Sequence, residues 1–380
     1  MELIELLSRR RAQPLWLFKN KIVKCRVSFV VVILISLTFI AAQFLYITPT
    51  SVHRPKTKIE FVNKDFCVLS TAENNNLRTV VIVVLSARNH FDRRNLIRQT
   101  YGSVRKAFNV HVLGVVFMLG NLDAPGSDVT DGYKLREEIN PFGDIVVGDF
   151  VDCYRNLTLK TIMAYEWLTS YCRDAQVVVK TDDDVFVNIF ELAKELDSWS
   201  QAEIVSSNIW CIVDRNEPTV KDKNSIYYAS PLDFPTGVFP DHCEGLAYIT
   251  PIGVIDRIIN EIRQSFPGTV CTHEDVFMTA VVRQHINSNS NYFWRKPEPI
   301  EIVNKKHFWR SLDLQDGRGD EDYFLRNLIK STSIDADSLQ KFRIWYDKKI
   351  FYLITHSDDF SDQYVRLWKI VSAASETDIL

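Results

Sequence analysis

The chain has 380 residues, 46% of them apolar and 24% charged, with a formal net charge of −3. Such a chain can bury a sizeable core, which excludes overall disorder, and its near-neutral balance excludes a generally polybasic nucleic-acid binder. The average hides a polarised start: residues 1–26 hold seven Lys and Arg against Glu2 and Glu5, residues 27–47 hold no charge, and the remaining body is therefore acidic at −8.

The first predicted element is Val27–Ile47, 21 residues interrupted only by Ser, Thr and Gln. At about 1.5 Å per helical residue it reaches about 30 Å, the thickness of a hydrocarbon core. A cleaved signal peptide fits less well, because the basic leader is long and no A-x-A site follows. The basic flank, residues 1–26, stays cytosolic, so the body faces a lumen in a type II topology. Two features agree with that side. Six cysteines follow the span (Cys67, Cys153, Cys172, Cys211, Cys243 and Cys271), enough for three disulfides, while Cys25 lies on its cytosolic edge. Asn156-Leu157-Thr158 is the chain's N-x-S/T sequon. Residues 48–76 are polar and read as a stem.

From residue 77 to 380 strands and helices alternate. Thr79–Leu85, His111–Leu119, Asp144–Val147 and Gln176–Lys180 are β-branched apolar runs and read as strands. Arg93–Tyr101, Ser127–Ile139 and Asn156–Tyr171 read as the helices between them, and Asn188 with Glu191 caps another. Ile204–Val213 reads as a strand, Pro251–Arg263 and Glu274–Gln284 as helices, and 285–350 as polar and irregular. The alternation predicts an α/β fold with a mostly parallel sheet flanked by helices.

Four segments could carry chemistry. Asp182-Asp183-Asp184 directly follows an apolar strand, where open α/β sheets bind ligands. Three adjacent carboxylates favour a counter-cation such as Mg²⁺ or Mn²⁺, which in turn bridges phosphates; the plain alternative is a solvated acidic turn. Glu274 and Asp275 could be the first turn of a helix capped by Thr272, or one of them a general base toward an acceptor hydroxyl. Arg94 and Arg98, four apart on one helical face, could grip a diphosphate or form a solvated basic face. In His242-Cys243-Glu244-Gly245, Gly245 would admit a ligand close to the backbone, Cys243 suits a disulfide, and His242 reads as a surface residue.

These segments, in this order, resemble the β-1,3-galactosyltransferases, family 31 of the glycosyltransferases. The matching stretches are RRNLIRQTYG (93–102), VVFMLG (115–120), GDIVVGDFVDCYRNLTLKT (143–161), KTDDDVFVN (180–188), HCEGLAYIT (242–250) and EDVFM (274–278), with a shorter match at FYLITHSDDFSDQYVRLW (351–368). The resemblance implies a Rossmann-like GT-A fold behind one transmembrane helix, Golgi residence, and transfer of Gal, GlcNAc or GalNAc from a UDP-sugar to a glycan on a glycoprotein or glycolipid. It implies Asp182 and Asp184 with His356 as ligands of Mn²⁺ or Mg²⁺, His307 being the second choice of histidine. Arg94, Arg98, Lys180, Asp182 and Asp183 fall on the donor side, Asp275 is the base, Glu244, Gly245 and Glu274 fall on the acceptor side, and Asn156 would carry a glycan. The partners it allows are the donor, the acceptor, a single-span membrane and a second copy of the chain, without nucleic acid. Departures stand at Tyr101, where the family has Trp, and at Thr279, where it has Gly; the stretch from Asp275 to His356 is also longer. The departure at Thr279 keeps open a catalytically inactive lectin-like or chaperone protein of the same fold, against which the intact triplet and Asp275 argue. A two-metal phosphoesterase or nuclease would need more clustered histidines than this chain offers.

Overall fold

The computed structural model describes residues 58–61, 63–68, 77–121, 129–264, 266, 270–288, 297–312, 320–331, 333–354 and 360–376. The expected span Val27–Ile47, most of the stem and His356 lie outside the described residues. Among those described, no helix is long and apolar enough to cross a membrane.

The central sheet is built on β2 (Arg78–Leu85), flanked by β4 (Val110–Leu119) and β6 (Val177–Asp182), both parallel to it. β3 (Lys106–Ala107) lies antiparallel along β4, β5 (Ile145–Gly148) extends the parallel run beyond β4, and β1 (Ile59–Phe61) closes that edge antiparallel. On the other side β6 pairs antiparallel with β11 (Ala247–Pro251), which pairs antiparallel with β8 (Asn208–Cys211), and β12 (Glu301–Asn304) joins β8 in parallel. The sheet is therefore mixed, not mostly parallel: parallel order holds from β5 to β6 and reverses at β11.

Strand alternation sorts β2 onto two faces. Val80, Ile82 and Val84 pack in one core with Leu96 and Ile97 of α1 (Phe91–Gln99) and Tyr364 of α11 (Phe360–Glu376). Val81, Val83 and Leu85 pack in the other with Ile162 and Trp167 of α3 (Leu157–Tyr171) and Ile255 of α6 (Ile252–Gln264). Helices thus cover both faces, as a buried parallel sheet requires.

α2 (Val129–Phe142) lies between β4 and β5, and α4 (Ile189–Ser198) follows Asn188, whose side chain accepts from Glu191 N as expected. Two regions differ from expectation. Ile204–Val213 is not one strand: α5 (Gln201–Ile204) precedes β8, because Ser200 and Glu203 form a capping box, and β9 (Val213–Asp214) is separate. The described residues between 285 and 350 are not irregular. They supply β12, β13 (Trp309–Leu312), α9 (Asp320–Lys330) and α10 (Ala336–Trp345), whose cap Asp335 accepts from Ser338 N at 2.7 Å. β13 pairs with β14 (Phe351–Ile354), which pairs antiparallel with β7 (Val185–Val187). The strand that follows the acidic triplet is thus anchored by the C-terminal part of the chain.

Of the three disulfides the six cysteines allow, two form among the described residues: Cys67–Cys172 and Cys211–Cys243. Cys153 is free and exposed, and Cys271 is free and buried, its thiol pushed up to about 12 by burial.

Candidate active site

A cleft of about 870 Å³ opens at the carboxyl ends of β2 and β6. Its far wall is β10 (His242–Cys243), the turn after it, and α7 (Glu274–Val276). All three triplet residues line this cleft, each in a different role. Asp182 ends β6. Asp183 points back into the protein, where it is 4% exposed and accepts from Ser86 Oγ (2.7 Å), Ala87 N (3.3 Å) and Arg93 Nη1 (2.7 Å), with His90 Nδ1 at 2.7 Å. Burial opposes its charge, yet His90, Ser86 and Arg93 outweigh that and hold it at about 2. Asp183 therefore clamps the loop after β2 to the start of α1. Asp184 faces the cleft, with Arg93 at 3.7 Å.

Arg94 and Arg98 do not line the cleft. Arg94 is fully buried, donating to Glu138 through Nε and Nη2 and to Ala87 O at 2.6 Å. Arg98 forms a two-pronged pair with Asp144 and reaches Glu138 at 2.6 Å. Residues four apart share one helical face, and that face turns to Glu138 of α2 and to Asp144 just beyond it. One residue earlier the helix has turned by about 100°, so Arg93 reaches the cleft instead. Arg94 and Arg98, expected to grip a diphosphate, are thus placed away from the cleft by the phase of the helix.

Lys180, 2% exposed, lies beneath the floor. Its Nζ meets Asp182 Oδ1 at 3.1 Å and Glu274 Oε2 at 3.2 Å, and donates to Gly245 O. Burial works against this ammonium, but Asp182 and Glu274 more than compensate and keep it charged. Glu274 also accepts from Tyr248 OH at 2.7 Å, so it acts as a buried post joining β6, β11 and α7. Burial pushes Asp182 up to about 7, with Asp184 and Glu274 adding to the rise against Lys180, although a third of its side chain still meets the cleft. A cluster short of positive charge suits a divalent cation, and Asp182 with Asp184 fits one on donor chemistry.

On the facing wall Asp275 projects over Gly245: a Cβ at Gly245 would stand 2.9 Å from Asp275 Oδ2. Val276 N donates to Asp275 Oδ1 at 2.8 Å, and the helix N-terminus favours a carboxylate there. Helix α7 passes through one π turn, Phe277–Val281, into α8 (Val282–Ser288). In that turn Thr279, fully buried, donates to Asp275 O at 2.7 Å and accepts from Cys243 N at 2.9 Å. The departure at Thr279 is thus a bolt between the Asp275 helix and β10. Glu244 lines the same wall, and burial, then Asp214, Asp275 and Glu217, raise its pKa.

Sequence reasoning missed a further group. β10 pairs antiparallel with β9, setting His242 opposite Asp214, and the Cys211–Cys243 disulfide pins this ribbon. Far from a surface residue, His242 is 2% exposed and lies beside Glu217, Nε2 to Oε2 3.2 Å, with Nδ1 2.9 Å from Pro240 O. Asp214, Glu217 and His242 could together hold a cation. His307 is exposed and does not line the cleft. Asn156 stands at the N-cap position of α3 without a side-chain cap bond, its amide donating instead to Val151 O, and Thr158 is buried, donating to Cys271 O.

The human UDP-GalNAc:beta-1,3-N-acetylgalactosaminyltransferase 1 is 34% identical over 220 residues, which cover 57% of this chain and 64% of that protein. The human lactosylceramide 1,3-N-acetyl-beta-D-glucosaminyltransferase is 32% identical over 203 residues, 52% of each. The chain thus matches less than two thirds of these relatives' own length. Among solved structures, the bifunctional glycosyltransferase WbbM aligns over 80% of this chain and 51% of its own, at a TM-score of 0.36 and 10% identity, a likeness on which nothing further rests. The galactosyltransferase family model matches residues 92–289, just over half of the chain, and takes in the triplet, the Gly245 turn and Asp275 together; the chain belongs to the galactosyltransferase family.

Proposed function

We propose that the protein is an inverting, metal-dependent glycosyltransferase of GT-A type that moves a hexose from a UDP-sugar to a hydroxyl of a glycan acceptor, forming a β-1,3 linkage. The observation that carries the reading is one cleft with Asp182 and Asp184 on one wall and the Asp275 carboxylate, seated over Gly245, on the other. Asp182 and Asp184 would hold Mn²⁺ or Mg²⁺, which when bound neutralises the diphosphate and eases departure of UDP. Lys180 stays beneath the floor, keeping the Asp182 and Glu274 carboxylates in place. Arg93 and Asp183 fix the rim under the donor. Asp275 accepts the proton of the acceptor hydroxyl as its oxygen bonds to the anomeric carbon from the face opposite UDP, and the carbon–phosphate oxygen bond breaks. One displacement inverts the α-linked donor. Golgi residence and the membrane anchor at 27–47 belong to this proposal through the family resemblance and the basic-then-apolar start of the chain.

The test is a donor screen on a secreted form of residues 48–380: UDP-Gal, UDP-GlcNAc, UDP-GalNAc and UDP-Glc, with Mn²⁺ or with EDTA. One donor turned over only with metal supports the reading, and the absence of UDP-sugar binding by folded protein sinks it. Asp275→Asn should lower turnover by about 10²–10⁴-fold without weakening UDP binding. An unchanged rate would remove Asp275 from the role of base.

A further inference from the structure

The ribbon of β9 and β10 carries a second group of ligating side chains. Residues 215–241 leave β9 and return to β10, holding no helix and carrying only the isolated bridges Pro218–Val238 and Val220–Tyr228. The neck of this excursion is narrow and well tied. His242 stands opposite Asp214 across the ribbon, and the Cys211–Cys243 disulfide fixes its base. Phe239 N donates to Glu217 O at 2.9 Å, and Thr219 N donates to Gly237 O at 3.0 Å. The two sides of the neck thus deliver Asp214, Glu217 and His242 to one point, where one ligand atom of each lies within 4.8 Å of the other two.

The chemistry of His242 says what belongs among them. The residue is buried, and its Nδ1 lies 2.9 Å from Pro240 O. A carbonyl oxygen can only accept, so Nδ1 carries a proton. In a neutral ring Nε2 then bears a lone pair, aimed at Glu217 Oε2 3.2 Å away and at Asp214. Three electron-pair donors converge there. Among the described residues no Lys or Arg forms an ion pair with Asp214 or Glu217: Lys180 is held by Asp182 and Glu274, Lys160 by Asp152, Arg93 by Asp183, and Arg215 by Asp241. A proton on Nε2 would answer Glu217 alone, whereas a cation would answer all three. A buried imidazole that donates one nitrogen to a backbone carbonyl and turns the other toward carboxylates is arranged as metal-binding histidines are. One nitrogen and two carboxylates suit a borderline ion such as Zn²⁺, while Mg²⁺ and Ca²⁺ favour all-oxygen shells.

We propose that Asp214, Glu217 and His242 bind a divalent transition-metal ion of the Zn²⁺ class, separate from the cation on Asp182 and Asp184, and that this ion clasps the neck of residues 215–241 on the wall facing the triplet. The ligands come from the two ends of an excursion whose own bridges are isolated, so binding holds the ends together and restrains what lies between. The site stands on its own geometry and not on the transferase reading, since neither donor nor acceptor takes part in it.

The full chain, stripped with a chelator, is titrated with Zn²⁺ and read by calorimetry, which needs no turnover. We expect a Zn²⁺ ion that binds Asp184→Asn as it binds the unaltered chain. Glu217→Gln should weaken that ion by at least about 10–100-fold, the loss caused by removing even a supporting group from a metal site. The Glu217 side chain is 49% exposed, so this variant keeps its fold. His242→Gln should weaken binding likewise; because that ring is buried, X-ray absorption of Zn²⁺ on the unaltered chain supplies a second reading, with imidazole scattering among oxygen neighbours. With Zn²⁺ at about 10 times its Kd, protease nicking within 215–241 should slow about 10-fold, and not in Glu217→Gln. Zn²⁺ that is lost in Asp184→Asn and kept in Glu217→Gln overturns the inference, and so does a Zn²⁺ shell without imidazole. No Zn²⁺ binding, or binding that an equal concentration of Mg²⁺ removes, overturns it as well and leaves His242 an imidazolium paired with Glu217. Nicking that ignores bound Zn²⁺ overturns the clasp. Zn²⁺ bound here by a chain that turns over no donor supports the inference and leaves the transferase reading to fail alone.

Discussion

Gly245 shows how one residue without a side chain can set a reaction geometry. Its missing Cβ leaves room for the Asp275 carboxylate, which would otherwise be met at 2.9 Å. Gly245→Ala should push that flexible carboxylate aside and lower kcat by about 10–100-fold while leaving the KM for donor unchanged, because small misplacements of a reacting group cost rate more than binding. Steady-state kinetics with both substrates varied would check it, and a rise in donor KM with kcat intact would contradict it. Arg94 predicts the opposite pattern. Arg94 is buried against Glu138 and is not itself part of the cleft lining, so its loss should unfold the protein and leave the donor untouched. Arg94→Met should cost about 3–5 kcal/mol of stability, since it leaves Glu138 buried with only Arg98. Denaturant midpoints test the cost, and an unchanged donor KM in the folded fraction tests the location.

At the scale of elements, the facing wall depends on two ties between β10 and its neighbours: the Cys211–Cys243 disulfide and the Thr279 hydroxyl. Replacing both cysteines by Ser should cost about 2–4 kcal/mol. Thr279→Val keeps the volume but strands the buried Cys243 N–H, a loss of about 1–3 kcal/mol. If melting temperature does not fall in either variant, the wall is held by packing alone. The parallel strands and the helices between them were legible because each is a local pattern: β-branched runs, helical spacing, a Gly or a cap. β12, β13 and α9 were not. Glu301–Asn304 has little apolar alternation and is a strand because β8 offers it an edge. Trp309–Leu312 is a strand because Phe351–Ile354 comes back beside it. Non-local partners leave no trace in a short window of sequence.

For the whole molecule, Asp182 and Asp183, the two perturbed carboxylates of the triplet, set opposite pH responses. Asp183 sits at about 2 in the folded protein. Its unfolded value is near 3.9, so the stability it contributes is full above that value and is lost as pH falls toward 2. Asp182 sits at about 7, so the folded protein holds a proton there that the unfolded chain releases. Stability from Asp182 is therefore present below about 3.9 and declines as pH rises to about 7. A cation on Asp182 and Asp184 would compete with that proton. Mn²⁺ should raise the melting temperature more at pH 7.5 than at pH 5.5, and Asp182→Asn should flatten the difference (conditions about 2 pH units apart bracket the range where Asp182 titrates). An Mn²⁺ shift independent of pH would place the cation elsewhere, with Asp214, Glu217 and His242 the next site to test.

The sequence by itself determined the α/β class, the position of the acidic triplet at a strand tip, and Asp275 with Gly245 as residues worth watching. Those are matters of local periodicity and of residue chemistry at fixed spacing. Tertiary structure alone decided which arginine meets the cleft, since helical phase is set by what the helix packs on. It decided that Asp183 clamps a loop while Asp184 faces the cleft, since a turn gives adjacent side chains different directions. And it brought Asp214, Glu217 and His242 together, residues from separate segments joined by a strand ribbon and a disulfide that no stretch of sequence contains.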